Sequence, residues 1–134
     1  MLLVKTKIGP SQIDGIGLFA DEFIPRGTII WRFTPGFDLR FTLETLANFP
    51  RQVQEHIYKY GWKSARPDHY CHASDHAKVF NHAESPNALS EHHDGEEEVI
   101  TVALRDIERG EEITDDYSAY TARGSSLSAV AHCD

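Results

Sequence analysis

The chain has 134 residues, 40% of them hydrophobic and 25% charged, and a formal net charge of −8 at pH 7. That length suits one domain with a real core, and no apolar run approaches the roughly 20 residues of a membrane helix. The acidic balance argues against direct nucleic-acid binding, which relies on positive charge to neutralise phosphates; it suits a basic partner through steering, or serves solubility alone.

From the start of the chain, Leu2 to Ile8 alternates apolar and polar residues and reads as an edge strand, broken by Gly9-Pro10-Ser11. Lys5 and Lys7 interrupt the apolar beginning, so no signal peptide is expected. Gly17–Ala20 and Thr28–Phe33 are short strand candidates rich in β-branched and aromatic residues, with Pro25-Arg26-Gly27 turning between them. Residues 42–60 form the one good helical region. Thr42 caps a first helix, Pro50 opens a second, Val53, Ile57 and Tyr60 share a face, and Gly61 stops it. Asp94-Gly95 signals a hairpin turn, and Val99–Leu104 is the most convincing buried strand. Residues from Gly124 onward are small and polar and read as a frayed tail. The pattern I-x-R-G-x-x-I occurs at Ile24–Ile30 and again at Ile107–Ile113, which reads as reuse of one turn chemistry rather than duplication.

Two segments carry more than their local structure. Val79-Phe80-Asn81-His82-Ala83-Glu84-Ser85-Pro86-Asn87 is followed later by Gly110-Glu111-Glu112-Ile113-Thr114-Asp115-Asp116-Tyr117, and Gly15-Ile16-Gly17 stands near the start. In this order they resemble the SET domain, the fold of most protein-lysine methyltransferases, over roughly Ile8 to Tyr120; the compact form looks like the minimal viral and bacterial members. The resemblance implies a mainly β fold of several short, mostly antiparallel sheets, a helical insert and a C-terminal pseudoknot. It implies a single domain over residues 1–134, with its core at about 8–120 and a tail at 121–134.

The resemblance also implies the chemistry: transfer of a methyl group from S-adenosyl-L-methionine to a lysine side chain. Such a displacement needs an aligned methyl, an uncharged amine and little water. By resemblance, Gly15, Ile16 and Gly17 wrap the cofactor, Asn81 and His82 contact it, and Pro86-Asn87 fixes the threaded turn. The hydroxyl of Tyr117 sits beside the transferring methyl as the catalytic group and as part of the cofactor site. Trp31, Phe33 and Tyr70 are candidates for the lysine channel, where a ring face attracts a methylated ammonium; ordinary core packing is the competing reading. Tyr120 is a candidate to cover the adenine.

This chain departs from the family pattern in three places. It has Ala83-Glu84 where Ser-Cys is common, Phe33 where a tyrosine hydroxyl is usual, and no cysteine-rich zinc cluster after Tyr117. The first two leave room for an alternative, a catalytically impaired SET-shaped module that binds a basic peptide or protein. The third is compatible with completion of the site by a homodimer.

His69, His72, His76 and His82 with Cys71 and Asp75 form a dense group, but they match no standard zinc spacing, so no metal is expected. Cys71 and Cys133 are expected to be reduced thiols. Glu96-Glu97-Glu98 reads as a solvated acidic loop. The partner implied is a basic, histone-like protein or peptide, with neither nucleic acid nor membrane bound directly. The implied location is intracellular, cytoplasmic or chromosome-associated.

Overall fold

The computed structural model describes residues 1–116. In chain order, the strands are β1 (Thr6–Pro10), β2 (Ile16–Ala20), β3 (Ile29–Trp31), β4 (Leu39–Thr42), β5 (Trp62–Lys63), β6 (His69–His72), β7 (Asn81–His82), β8 (Ala88–Glu91), β9 (Ile100–Ala103) and β10 (Thr114–Asp115). Helices α1 (Leu43–Ala47) and α2 (Arg51–Tyr60) lie between β4 and β5, and a 3-10 turn, His76–Val79, precedes β7. Among the described residues, the strands form four small sheets: β1-β2, β3-β9-β8 and β4-β6-β5, all antiparallel, and the parallel pair β10-β7. The fold is therefore mainly β with a helical insert, as the sequence suggests.

The first strand is shifted from its expected place. β1 runs through Gly9 to Pro10 rather than ending at Ile8; an edge strand tolerates proline at its end because no ladder bond is lost there. Leu2 and Leu3 instead extend the sheet at β3, Leu2 bridging Trp31 and the Leu3 N–H donating to the Ile30 carbonyl at 2.8 Å. The two I-x-R-G-x-x-I segments turn out to be partners. The Ile24 and Ile107 backbones exchange hydrogen bonds at 2.9 and 2.8 Å, so the repeated turn chemistry faces itself across one antiparallel bridge.

The main core joins these pieces. Leu18, Ala20, Ile24, Ile30, Ala88, Ala103, Ile107 and Ile113 form one buried cluster fed from both ends of the chain. Burying a side chain such as Leu or Ile stabilises by about 1.5–3 kcal/mol, so this cluster fixes β2, β3, β8 and β9 around one centre. A second cluster holds Trp31, Phe33, Cys71, Ala73 and Ala77, and a third holds Leu46, Ile57 and Tyr70.

In the insert, the Thr42 hydroxyl accepts from the Thr45 N–H at 3.0 Å, the cap expected from sequence. Pro50 occupies the N-cap of α2 rather than its first turn. Of the expected stripe only Ile57 is buried, Val53 being exposed, while Tyr58 packs edge-on against Tyr70 at 5.3 Å. Gly61 does end α2, but not by a left-handed turn. A Cβ there would lie 2.3 Å from the Cys71 carbonyl and 2.6 Å from that of Ile57, so close packing of helix against β6 excludes a side chain.

β8 and β9 form the hairpin signalled by Asp94-Gly95, with Gly95 at φ +85°. Its loop is longer than a two-residue turn because the acidic run leaves the ladder. Glu96 pairs with Arg32 at 2.8 Å, Glu97 with Arg40 at 3.3 Å, and Glu98 accepts from Arg40 Nε at 2.9 Å. The solvated-loop reading therefore fails for Glu98, which is 1% exposed and also accepts from the Ser64 hydroxyl and the Ala65 N–H.

Candidate active site

The three sequence segments that carry the resemblance converge. Ser11–Gly15 closes a turn, the Ser11 N–H donating to the Gly15 carbonyl at 2.9 Å, with Gly15 at φ +46°. The side chain of Asn81, at the start of β7, reaches into that turn. Its amide nitrogen lies 3.1 Å from Ser11 Oγ, 3.1 Å from the Asp14 carbonyl and 2.9 Å from Glu112 Oε2. Glu112 comes from the third segment, just before β10, and accepts from the Ser11 hydroxyl at 2.8 Å. Gly17 is buried under this carboxylate: a Cβ there would stand 2.5 Å from Glu112 Oε2 and 3.1 Å from Ser11 Cβ. Ile16 beside it is exposed, and its carbonyl lies 3.4 Å from the Asn81 amide nitrogen.

His82 and Asp115 are paired across the parallel β7–β10 contact, which is the described part of the expected threaded crossing. His82 Nδ1 lies 3.8 Å from Asp116 Oδ1, and both side chains are partly exposed. The Asn87 side chain locks the crossing from behind, donating to the Glu112 carbonyl at 2.7 Å and accepting from the Thr114 N–H at 2.8 Å. This is the turn-fixing place the resemblance gives it. Asp115 is buried and accepts from the Ser90 N–H at 2.9 Å, the Ser90 hydroxyl at 2.5 Å and the Asp116 N–H at 2.8 Å. Burial pushes its carboxyl up to about 6, against the opposing pull of the Ser90 bonds. Tyr117 and Tyr120 lie outside the described residues.

The aromatic candidates divide. Trp31 and Phe33 share the second cluster, against which Phe80, the neighbour of Asn81, also packs. Trp31 meets Trp62 edge-on at 5.1 Å, and the Arg40 guanidinium sits 4.4 Å from the centre of the Phe33 ring, so an internal cation already covers one face of that ring. Phe33 also borders a shallow cavity of about 250 Å³ shared with Arg32 and Gly95–Glu98. Tyr70 is set apart, in the cluster of Leu46 and Ile57, where burial raises its phenol above the ordinary range. The indole N–H of Trp31 is buried without an acceptor among the described residues.

The histidine-rich stretch disperses into separate tasks. His69 Nδ1 is 2.7 Å from the Pro67 carbonyl, Asp75 accepts from the Leu2 N–H at 2.7 Å, and burial holds His72 below its usual range. Burial likewise pushes the Cys71 thiol up to about 12. Among the described residues, no group of three or more His, Cys, Asp or Glu is placed to hold a metal ion, and no helix is long and apolar enough to cross a membrane. Sequence reasoning missed Ser11 and Glu112. The only available signal was that Glu112 falls inside the quoted motif, while Ser11 looked like a strand breaker.

The SET domain family model matches residues 15–118, and the chain belongs to the SET domain family. Solved structures agree on the fold. A proposed histone methyltransferase of Plasmodium falciparum is 23% identical, with a TM-score of 0.62 over 87% of this chain and 95% of that one. Polycomb Repressive Complex 2 of Chaetomium thermophilum, in an autoinhibited conformation bound to S-adenosylmethionine, is 20% identical, with a TM-score of 0.67 over 94% of this chain and 17% of that one. The same complex with H3K27me3 and H3K27M gives 21% identity and a TM-score of 0.64 over 85% of this chain and 14% of that one. No curated protein sequence matches the chain.

Proposed function

We propose that this chain is a protein-lysine methyltransferase that uses S-adenosyl-L-methionine and acts on a histone-like or other basic protein. The observation that carries the reading is the meeting of the Ser11–Gly17 turn, Asn81-His82 and Glu112–Asp116 at one place. Its donor set fits the cofactor. A turn with glycine at 15 and 17 lets a ligand approach backbone, and the Asp116 carboxylate suits a cationic sulfonium. When bound, the cofactor supplies a methyl group for in-line displacement by the lysine amine.

The protein's own residues supply the rest. Gly15, Ile16 and Gly17 offer backbone to the cofactor, Asn81 and His82 orient it, and Tyr117 places a hydroxyl beside the methyl. Trp31 and Phe33, with Tyr70 further from the crossing, line the approach and exclude water, which disfavours the ammonium form of the incoming lysine. The net charge of −8 favours a basic substrate. The relative bound to H3K27me3 and H3K27M supports a histone as the first substrate to try. Self-association as a homodimer belongs to the same proposal, and light scattering showing only monomer would remove it.

The alternative, a SET-shaped module that binds a basic peptide without turnover, draws on Phe33, which lacks a hydroxyl and has a face already covered by Arg40. Transfer of labelled methyl from S-adenosylmethionine to a panel of basic proteins, core histones included, separates the two. Label on lysine that is largely lost in Tyr117→Phe is expected. Cofactor binding with no label on any protein would favour the module.

A further inference from the structure

The turn at Ser11–Gly15 is exposed along most of its length and spans no regular element. Such a segment holds one conformation only if something fixes it. The fixing group is Glu112, 101 residues away from Ser11 in sequence and inside the motif shared with Tyr117. Its carboxylate accepts from the Ser11 hydroxyl at 2.8 and 3.0 Å. Ser11 Oγ in turn accepts from the Ile13 N–H at 2.9 Å and the Asp14 N–H at 3.3 Å, which sets the bend. The main chain keeps Glu112 in place: it bridges Phe19, and the flanking Ile113 N–H donates to the Leu18 carbonyl at 2.8 Å.

The same carboxylate decides how Asn81 stands. Around the Asn81 amide nitrogen lie Glu112 Oε2, Ser11 Oγ and the carbonyls of Asp14 and Ile16, at 2.9, 3.1, 3.1 and 3.4 Å. Carboxylate and carbonyl oxygens only accept. The nitrogen must face them, and the carboxamide oxygen is turned away from the turn.

We propose that Glu112 is a positioning residue: through Ser11 and Asn81 it fixes the cofactor-side turn and presents the Asn81 oxygen, rather than its N–H₂, to a hydrogen-bond donor of the cofactor. The proposal rests on the functional reading above. Glu112 itself need not touch the cofactor. Gly17 belongs to the same device, because any side chain there would displace the carboxylate.

The test replaces Glu112 by Gln, which keeps the volume but removes the charge and leaves one acceptor oxygen for Ser11 and Asn81 together. Glu112→Gln should weaken S-adenosylmethionine binding in calorimetry about tenfold, the scale of one charge-assisted hydrogen bond. It should also speed hydrogen exchange at the Ile13 and Asp14 amides, because their acceptor, Ser11 Oγ, loses its carboxylate partner. Ser11→Ala, a change in an exposed turn, should move both readouts the same way to a smaller extent. The double variant Ser11→Ala with Glu112→Gln should weaken binding by less than the two single losses combined, because both act through one bond, a coupling that general damage to the fold would not give.

Cofactor affinity in Glu112→Gln within about twofold of the parent, against the tenfold loss expected of such a bond, would overturn the proposal. No cofactor binding in the parent protein would instead remove the functional reading. The exchange measurement then decides the tether alone: faster exchange in Glu112→Gln upholds it, and unchanged exchange overturns it.

Discussion

Among the described residues, Glu98 and Asp115 are two of the buried carboxylates, and they behave as opposites. Glu98, 1% exposed, faces the Arg40 guanidinium, the Ser64 hydroxyl and the Ala65 N–H. Burial pulls the guanidinium down, but the bond and charge of Glu98 outweigh it and leave Arg40 above its usual range. Asp115, 2% exposed, has only neutral donors among the described residues, from Ser90 and the Asp116 backbone, and its carboxyl rises to about 6. Equal burial thus gives a charge-compensated anchor under the 92–99 loop and a proton-sensitive strut under the proposed catalytic segment. What a buried carboxylate does is set by whether a cation faces it.

The largest expected effect comes from breaking the anchor. Arg40→Met leaves Glu98 buried without its cation and should cost about 3–5 kcal/mol in urea unfolding, with part of the loss recovered when Glu98→Leu is added. A loss below about 1 kcal/mol, the value of an exposed pair, would mean that water reaches Glu98 and that the two sites do not differ as described.

Asp115→Asn sharpens the other half. The folded carboxyl titrates above its unfolded value, so the folded state binds more protons between the two. The stability tied to this group is full below the unfolded value near 3.8 and is lost as pH rises through about 6. The asparagine variant escapes that loss while keeping acceptors for the Ser90 and Asp116 N–H groups. Its advantage over the parent should grow from near zero at pH 4 to about 3 kcal/mol at pH 7, the linkage value of a shift near two units. A flat difference across that range would contradict the strut.

Two smaller effects test the packing around the anchor. Gly61→Ala drives a methyl into the Cys71 carbonyl, and Cys71 pairs with Arg40 across β4 and β6. It should cost about 1–3 kcal/mol as an overpacked contact. Thr42→Ala removes the α1 cap next to β4 and should cost about 1 kcal/mol. Neither should change the pH dependence that Asp115 gives, because neither residue bonds to it.

The parts legible in the sequence were those with local signatures. Thr42 and Gly61 bounded the helical region, Asp94-Gly95 marked the hairpin, and Val99–Leu104 contained β9. Asn81-His82 with the segment ending at Tyr117 pointed to the family, and the structure brings Asn81, His82 and the 112–116 segment together. Strands β4, β6 and β8 gave no clear alternation, because partners distant in sequence, rather than local propensity, make them strands. Glu98 read as solvated because nothing local shows that Arg40, 58 residues earlier, closes over it. Ser11 read as a strand breaker for the same reason: its partners, Asn81 and Glu112, are 70 and 101 residues away.

The proposed function requires the crossing of Ser11–Gly17, Asn81-His82 and Glu112–Asp116 to bind S-adenosylmethionine. Calorimetric titration of S-adenosylmethionine into the parent protein and into Asn81→Ala tests it most directly. One bound cofactor per chain is expected in the parent and at least about tenfold weaker binding in the variant, with the fold retained by circular dichroism. No binding by the parent, or equal binding by both, would contradict it.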